Sequence, residues 1–215
     1  MAENINEKIA EIKRIAEKFS LSDLSEKARA AVSDEAAAYT FAACFKAAEE
    51  KLGVTPFDEQ LKAADALYRG KVIEMATGEG KTLAAVFAAC AKAIEGKRVH
   101  ILTFNDYLAS RDMNWMKPIY DSVGVTAACI TENTPREQRK EYYKADVLYT
   151  TVKECGFDFL RDFVAKSESE TVQQPFMCAI ADEADSLLID EARIPLVVAG
   201  NVAVEPDGEM PAVMD

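Results

Sequence analysis

The stretch Glu74-Met75-Ala76-Thr77-Gly78-Glu79-Gly80-Lys81-Thr82 decides the fold that we expect for this chain. The residues from Gly70 to Met75 predict a short buried strand, and those from Leu83 to Ile94 predict an alanine-rich helix. A glycine-rich turn between a strand and a helix surrounds an anion with backbone N–H groups and a helix N-terminus. The stretch therefore predicts a phosphate-binding loop.

The residue types in this loop suit a bound nucleotide. Its predicted nucleotide contacts are Gly78, Glu79, Gly80, Lys81 and Thr82. In the pattern G-x-x-x-x-G-K-[ST], the lysine reaches the β- and γ-phosphates and the hydroxyl binds Mg²⁺. Met75 stands where that pattern has its first glycine, so an ordinary glycine-rich turn is the alternative interpretation.

Charge and cysteine usage narrow the class of protein. The 215 residues carry a formal net charge of −12, which gives no general attraction to nucleic acid or to an anionic membrane surface. The five cysteines form no C-x-x-C pair, which is typical of reduced thiols in a cytosolic protein. No apolar run reaches the ~18 residues of a membrane span, and the start of the chain lacks the apolar region of a signal peptide.

The first 53 residues predict helices that pack on the domain after them. One apolar stripe has helical spacing: Ile5, Ile9, Ile12, Ala16 and Phe19. We expect Asp23 to cap a second helix with Glu26 as its capping-box partner. Ser33 would cap a third helix that runs to Leu52 and stops at Gly53. A separate binding module is the alternative for this segment.

Strands and helices alternate in the rest of the chain. Strands are predicted at residues 98–104, 123–130, 145–150 and 176–181, and helices at 105–120, 135–144 and 153–165. This alternation indicates a parallel sheet that is covered by helices on both faces.

An acidic pair follows the last predicted strand. Asp182 would hold Mg²⁺ opposite Thr82, directly or through a water. Glu183 would orient and deprotonate the water that attacks the γ-phosphate. Such a strand end is the expected partner of a phosphate loop, whereas the alternative is a carboxylate pair that caps a helix from Ala184 to Glu191.

A glutamine upstream of the loop suits a base pocket. Gln60 follows the aromatic Phe57, and its amide offers both a donor and an acceptor to the edge of adenine. An isolated glutamine is more often merely exposed, so this signal depends on the loop that follows it.

Five stretches match motifs of one protein family. In chain order they are Phe57 to Gln60 (F-D-V-Q), Met75 to Thr82 (M-x-T-G-E-G-K-T), Thr103 to Asp112 (T-x-N-D-Y-L-A-x-R-D), Gly156 to Asp162 (G-F-D-Y-L-R-D) and Asp182 to Leu196 (D-E-V-D-S-I-L-I-D-E-A-R-T-P-L). By these motifs the chain resembles the first nucleotide-binding domain of the SecA family, the motors of bacterial preprotein translocation. The resemblance covers about residues 34–200, and Met in place of the first glycine is part of it.

The resemblance implies a fold, a cofactor and a domain plan. The expected fold is an α/β P-loop NTPase of the RecA-like type, a three-layer α/β/α arrangement with a mostly parallel sheet behind N-terminal helices. The expected plan is a helical segment (1–53), a DEAD-like nucleotide-binding domain (54–200) and a linker or tail (201–215). The expected cofactors are ATP or ADP and Mg²⁺, with Lys81 and Glu183 as catalytic residues and Gln60 beside adenine.

The resemblance also implies partners. We expect preprotein substrates, a SecYEG-type membrane channel and a second nucleotide-binding domain, with no specific nucleic acid. The expected location is the cytoplasm, peripherally at the inner face of the bacterial plasma membrane. In the family the second domain supplies arginines to the γ-phosphate, so we expect this chain alone to bind nucleotide weakly and to hydrolyse it very slowly.

Some positions depart from the family pattern. Ala76 and Thr55 replace basic residues, and Phe163 replaces an asparagine. Residues 150–156 read T-T-V-K-E-C-G where the family usually has G-T-N-x-E-[YF]-G, so Val152 stands in the place of an asparagine. These departures fit a divergent member. A DEAD-type RNA helicase and a nonenzymatic nucleotide- or protein-binding relative are the alternative functions.

Four further residues have two interpretations each. Arg111, Arg161 and Arg193 lie in family motifs, yet arginines near helix ends often serve only as surface or dipole partners. His100, the single histidine, lies in an apolar strand and is expected to be a hydrogen-bonded core residue rather than a catalyst.

Overall fold

A four-stranded parallel sheet lies at the centre of the computed structural model, which describes residues 5–190 and 195–197. The strands are β1 (Val99–Thr103), β2 (Ala127–Cys129), β3 (Val147–Thr151) and β4 (Cys178–Ala181). Their order in the sheet is β2-β3-β1-β4, and each neighbouring pair is parallel. Val99 of β1 is aligned with Val147 on one side and with Cys178 on the other.

Helices connect these strands and precede them. They are α1 (Ile5–Lys18), α2 (Leu21–Ala30), α3 (Ser33–Ala47), α4 (Asp58–Tyr68), α5 (Lys81–Ile94), α6 (Asp106–Val123), α7 (Arg136–Tyr142) and α8 (Val152–Phe163). Shorter helical turns cover Ala48–Leu52, Glu168–Glu170 and Ser186–Asp190. In the described part of the chain, no helix is long and apolar enough to cross a membrane.

The two faces of the sheet are covered by different helices. On one face Val99, Ile101 and Tyr149 join a large apolar cluster with side chains from α1 to α6. On the other face Leu148 packs with Tyr143 and with residues of the neighbouring loops. The α/β fold with a parallel sheet between helical layers is therefore confirmed.

The N-terminal helices follow the predicted apolar stripe but begin at other residues. Ile9, Ile12 and Ala16 of α1 are buried. Ser20, not Asp23, is the N-cap of α2: its side chain accepts from the N–H of Asp23, whose carboxylate accepts from the N–H of Ser20. Ser20 is the N-cap because its hydroxyl accepts the helical N–H, while Asp23 lies at the third helical position, where its carboxylate completes the capping box.

The third helix ends where the sequence predicted and starts one residue earlier than expected. Its N-cap is Val32, which forms no side-chain cap, and Ser33 is the first helical residue. The turn Ala48–Leu52 continues the helix to Gly53, whose φ of 66° closes it. Such a left-handed conformation favours glycine.

The predicted strand from Gly70 to Met75 was wrong. These residues form no strand, and the Val72 side chain is 96% exposed. A strand exists only where another backbone pairs with it. A cavity of 680 Å³ lies between this stretch and β4, so no described strand runs beside it.

Several predicted boundaries moved. Helix α6 continues through Pro118 to Val123 because Ile119, Tyr120 and Val123 are buried, and this burial offsets the hydrogen bond that proline cannot make. The strand predicted at 123–130 is consequently only three residues long. Residues 184–190 are helical, as predicted after the acidic pair, and Ser186–Asp190 form a wider helical turn; Glu191, Arg193 and the tail 201–215 lie outside the described residues.

Candidate nucleotide-binding site

The phosphate loop depends on two glycines in the left-handed region. Gly78 has a φ of 87° and Gly80 a φ of 84°, a backbone conformation that residues with a Cβ atom rarely adopt. Gly80 is also the N-cap of α5, so the loop leads directly into a helix N-terminus. The sequence therefore needs glycine at both positions to turn the chain there.

The loop presents backbone N–H donors that have no acceptor among the described residues. No hydrogen bond between described residues uses the N–H groups of Gly78, Gly80, Lys81 or Thr82. Together with the positive end of the α5 dipole, four free N–H groups favour an anion. This donor set fits the phosphates of a nucleotide.

The loop and the acidic pair face one cavity. Lys81 and Thr82 on one side and Asp182 and Glu183 on the other line the same 680 Å³ space. That volume lies within the range of about 300–1,000 Å³ for small-molecule sites. The Lys81 ammonium donates to the carbonyl of Met75 at 3.3 Å and forms no ion pair with a described residue. Its charge is therefore available to a phosphate.

The acidic pair is positioned by the end of β4. The N–H of Asp182 donates to the carbonyl of Leu102 at 2.9 Å, which extends the pairing of β4 with β1 by one residue. Glu183 then turns away from the sheet with a φ of 51°, and its N–H donates to the Asp182 carboxylate at 3.0 Å. Positive φ in a non-glycine residue is uncommon and occurs at functional sites. The Glu183 side chain is exposed.

Gln60 lies against the phosphate loop rather than on the cavity wall. Its Oε1 accepts from the N–H of Phe57 at 3.0 Å, and its Nε2 donates to the carbonyl of Glu79 at 2.8 Å. The amide that the sequence assigned to adenine is thus used within the chain. The adenine contact stays a prediction.

The cavity includes polar residues that the sequence interpretation left without a role. Thr103, Asp112 and Asp185 also line it. Asp112 is only 3% exposed, and its carboxylate accepts from the guanidinium of Arg111 at 2.7 Å. Their signal was present, because Thr103 and Asp112 begin and end one family motif and Asp185 belongs to another.

The arginines of the family motifs form pairs with neighbouring acids. Arg111 stacks on Tyr107, with its guanidinium carbon 5.9 Å from the ring centre, and pairs with Asp112. Arg161 pairs with Asp158 at 3.2 Å. Neither guanidinium lines the cavity. Arg193 lies outside the described residues.

A buried ion cluster on α7 and α8 accounts for two further motif residues. The Arg139 guanidinium donates to Glu154 at 2.7 Å and to Asp158 at 2.8 Å, and Asp158 is fully buried. Burial alone lowers the pKa of Arg139, but the hydrogen bonds that it donates to Asp158 and Glu154 outweigh burial and raise the pKa. Asp162 accepts from the N–H groups of Val172 and Gln173, which anchors the loop before β4.

Comparisons with known proteins point to one family. The family model described as "SecA DEAD-like domain" matches residues 1–212. The chain is 50% identical over 162 residues to "Protein translocase subunit SecA" of Ehrlichia canis (strain Jake), covering 75% of this chain and 19% of that protein. It is 52% identical over 161 residues to "Protein translocase subunit SecA 2" of Thermobifida fusca (strain YX), covering 75% and 21%.

The match to a third relative covers a larger share of this chain. The identity to "Protein translocase subunit SecA" of Legionella pneumophila (strain Corby) is 47% over 177 residues, which cover 82% of this chain and 20% of the relative. The chain thus spans about a fifth of the length of the curated relatives it matches. On the family match and on these identities, the chain belongs to the SecA DEAD-like domain family.

Proposed function

We propose that this chain is the first nucleotide-binding domain of a SecA-type motor, which binds ATP or ADP with Mg²⁺ and uses hydrolysis to move preproteins through a SecYEG-type membrane channel. The observation that carries the proposal is the meeting of a loop with free N–H groups and an acidic pair around one cavity. Family membership supports the substrate and the location, which is peripheral at the inner face of the plasma membrane.

Each site residue has a role in this proposal. Gly78, Glu79 and Gly80 form the loop, and the N–H groups of its two glycines bind phosphate oxygens. Lys81 contacts the β- and γ-phosphates, while Thr82 and Asp182 hold Mg²⁺. Glu183 takes the proton of the attacking water. A phosphorylated nucleotide supplies the bond whose hydrolysis drives the motor.

In the proposed motor, the cavity lies at the contact with a second nucleotide-binding domain. In the proposed motor, arginines of that domain stabilise the charge on the γ-phosphate, which is worth about 10³–10⁵ in rate in phosphoryl transfer. Among the described residues no arginine lines the cavity. We therefore expect this chain by itself to bind nucleotide weakly and to hydrolyse it very slowly. The division into segments 1–53, 54–200 and 201–215 also stays a prediction.

Substitution of the loop lysine tests the proposal. We expect Lys81→Ala to weaken binding of a fluorescent ADP at least tenfold, because it removes a charge from the phosphates. Lys117→Ala is the control, since Lys117 pairs with Asp121 on the exposed side of α6. Glu183→Gln should retain binding and abolish hydrolysis once a second nucleotide-binding domain is added. Equal binding by the wild-type chain and Lys81→Ala would contradict the proposal.

ATPase assays and an RNA titration separate the two alternative functions. A nonenzymatic relative would bind nucleotide but show no ATPase with the second domain present. An RNA helicase would bind RNA with an affinity that falls steeply with salt. The net charge of −12 disfavours RNA binding, and no observation on the described residues favours it.

A further inference from the structure

Gln60 joins the start of α4 to the phosphate loop through both ends of its amide. Its Oε1 accepts from the Phe57 N–H and its Nε2 donates to the Glu79 carbonyl. The residue is 8% exposed, so these bonds lie largely out of water. A buried amide with both heteroatoms paired holds its neighbours in one arrangement.

The Glu79 carbonyl belongs to the same peptide unit as the N–H of Gly80. A trans peptide is planar and places its C=O and N–H on opposite sides. The bond from Gln60 therefore sets the direction of the Gly80 N–H, which has no acceptor among the described residues. Without it, this unit could rotate easily because Gly80 has wide conformational freedom.

The packing around Gly80 supports this arrangement. A Cβ at that position would lie 2.2 Å from the Gln60 Nε2, so the amide occupies the space that any other side chain would need. Glycine is therefore required at this position for two reasons: the φ of 84° and the close approach of the Gln60 amide.

We propose that Gln60 is a positioning residue that aims the Gly80 N–H at the phosphate chain, and so raises affinity for triphosphate whichever base is attached. This inference rests on the proposed function, because it needs a phosphate in the loop. It differs from the prediction that Gln60 reads the adenine edge. A base-reading residue affects the choice between ATP and GTP, whereas a loop-positioning residue affects both alike and also a ligand with no base.

Two substitutions separate the two hydrogen bonds of Gln60. Gln60→Glu keeps an acceptor for the Phe57 N–H, as in a capping box, but cannot donate to the Glu79 carbonyl. Gln60→Met is uncharged and loses both bonds. Titrations of the 215-residue chain with inorganic triphosphate, ATP and GTP, each with Mg²⁺, give the dissociation constants. Thermal unfolding without ligand checks that both variants fold.

Both variants should bind all three ligands about three- to tenfold more weakly than the wild-type chain, the usual effect of one lost hydrogen bond. The ratio of ATP to GTP affinity should not change. Weakening by Gln60→Glu alone would indicate charge repulsion, and weakening by Gln60→Met alone would indicate loss of the cap; either result overturns the inference. An altered ATP to GTP ratio with unchanged triphosphate binding also overturns it, in favour of base reading.

Failure of the proposed function would look different. In that case the wild-type chain would bind neither triphosphate nor ATP, or Lys81→Ala would bind them equally well, and both proposals would fall together. If the wild-type chain binds both ligands and the Gln60 variants bind triphosphate as well as it does, only the positioning role is excluded.

Discussion

His100 is buried in β1, on the sheet face opposite to the large apolar cluster. It is 4% exposed, and its ring lies 6.0 Å from Tyr143 and 5.4 Å from Phe176 between ring centres. Burial lowers its pKa below 6.5, the charge of Arg98 lowers the pKa further, and the backbone of Cys178 opposes this in part. The prediction of a core position for His100 is confirmed, but the predicted hydrogen bonding was wrong, because neither ring nitrogen has a hydrogen-bond partner among the described residues. The buried ring resists protonation in the folded chain.

This lowered pKa makes stability depend on pH. Below about pH 6.5 the unfolded chain binds a proton at His100 that the folded chain does not. The free energy of unfolding should therefore fall as the pH drops from about 6.5 toward the lower pKa of the folded state. Urea unfolding between pH 7.5 and 5.5, followed by Trp115 fluorescence, measures this slope.

The matched variant is His100→Gln, which cannot titrate. Because the chain has a single histidine, the slope above pH 5.5 should largely disappear in this variant. An unchanged slope would show that other groups cause it.

At the scale of elements, buried ion pairs and hydrogen bonds hold α7 against α8 and against the segment before α7. Arg139 of α7 bonds to Glu154 and Asp158 of α8, and it also donates to the backbone carbonyls of Thr131 and Thr134. Tyr143 adds a bond to Asp158 at 3.1 Å. The motif G-F-D-F-L-R-D therefore builds this layer of the fold, because its first aspartate is the buried counterion.

Asp158→Asn should destabilise the chain by about 3 kcal/mol, because it leaves a buried guanidinium without part of its compensation. Lys144→Ala is the control: its partner is Glu141, both side chains are more than half exposed, and such pairs are worth at most about 1 kcal/mol. Urea unfolding of the three proteins compares them. A cost for Asp158→Asn no larger than that for Lys144→Ala would contradict the structural role.

At the scale of the whole molecule, the N-terminal helices and the sheet share one apolar core. Ile12 of α1, Phe41 of α3 and Phe87 of α5 belong to the same cluster as the β1 residue Ile101. A largely buried ion pair between Lys8 and Asp65, 2.6 Å apart, also joins α1 to α4. We therefore expect the described helices and sheet to unfold together.

Ile12→Ala tests this shared core. Removal of a fully buried isoleucine side chain should cost about 2–5 kcal/mol. Far-UV circular dichroism and Trp115 fluorescence, which reports on α6, should give coincident transitions. Glu11→Ala is the control, because Glu11 is exposed on the same helix. Loss of helical signal before any change at Trp115 would show that α1 unfolds separately.

The sequence alone was enough to identify the candidate site residues of this protein and the periodicity of its helices and strands. The loop from Met75 to Thr82 and the pair Asp182-Glu183 were recognisable because their spacing and residue types are local properties of the chain. The helical stripe of α1 and the alternation of strands and helices were equally local, since side-chain periodicity follows from backbone geometry.

Tertiary structure alone decided which groups are paired and which are free. Gln60 meets a carbonyl 19 residues further along the chain, and Gly70 to Met75 form no strand because no described neighbour pairs with their backbone. Hydrogen bonds and burial depend on which elements lie side by side. The sequence therefore predicts which residues contact the proposed nucleotide, and the packing around them decides which of their atoms are unpaired among the described residues.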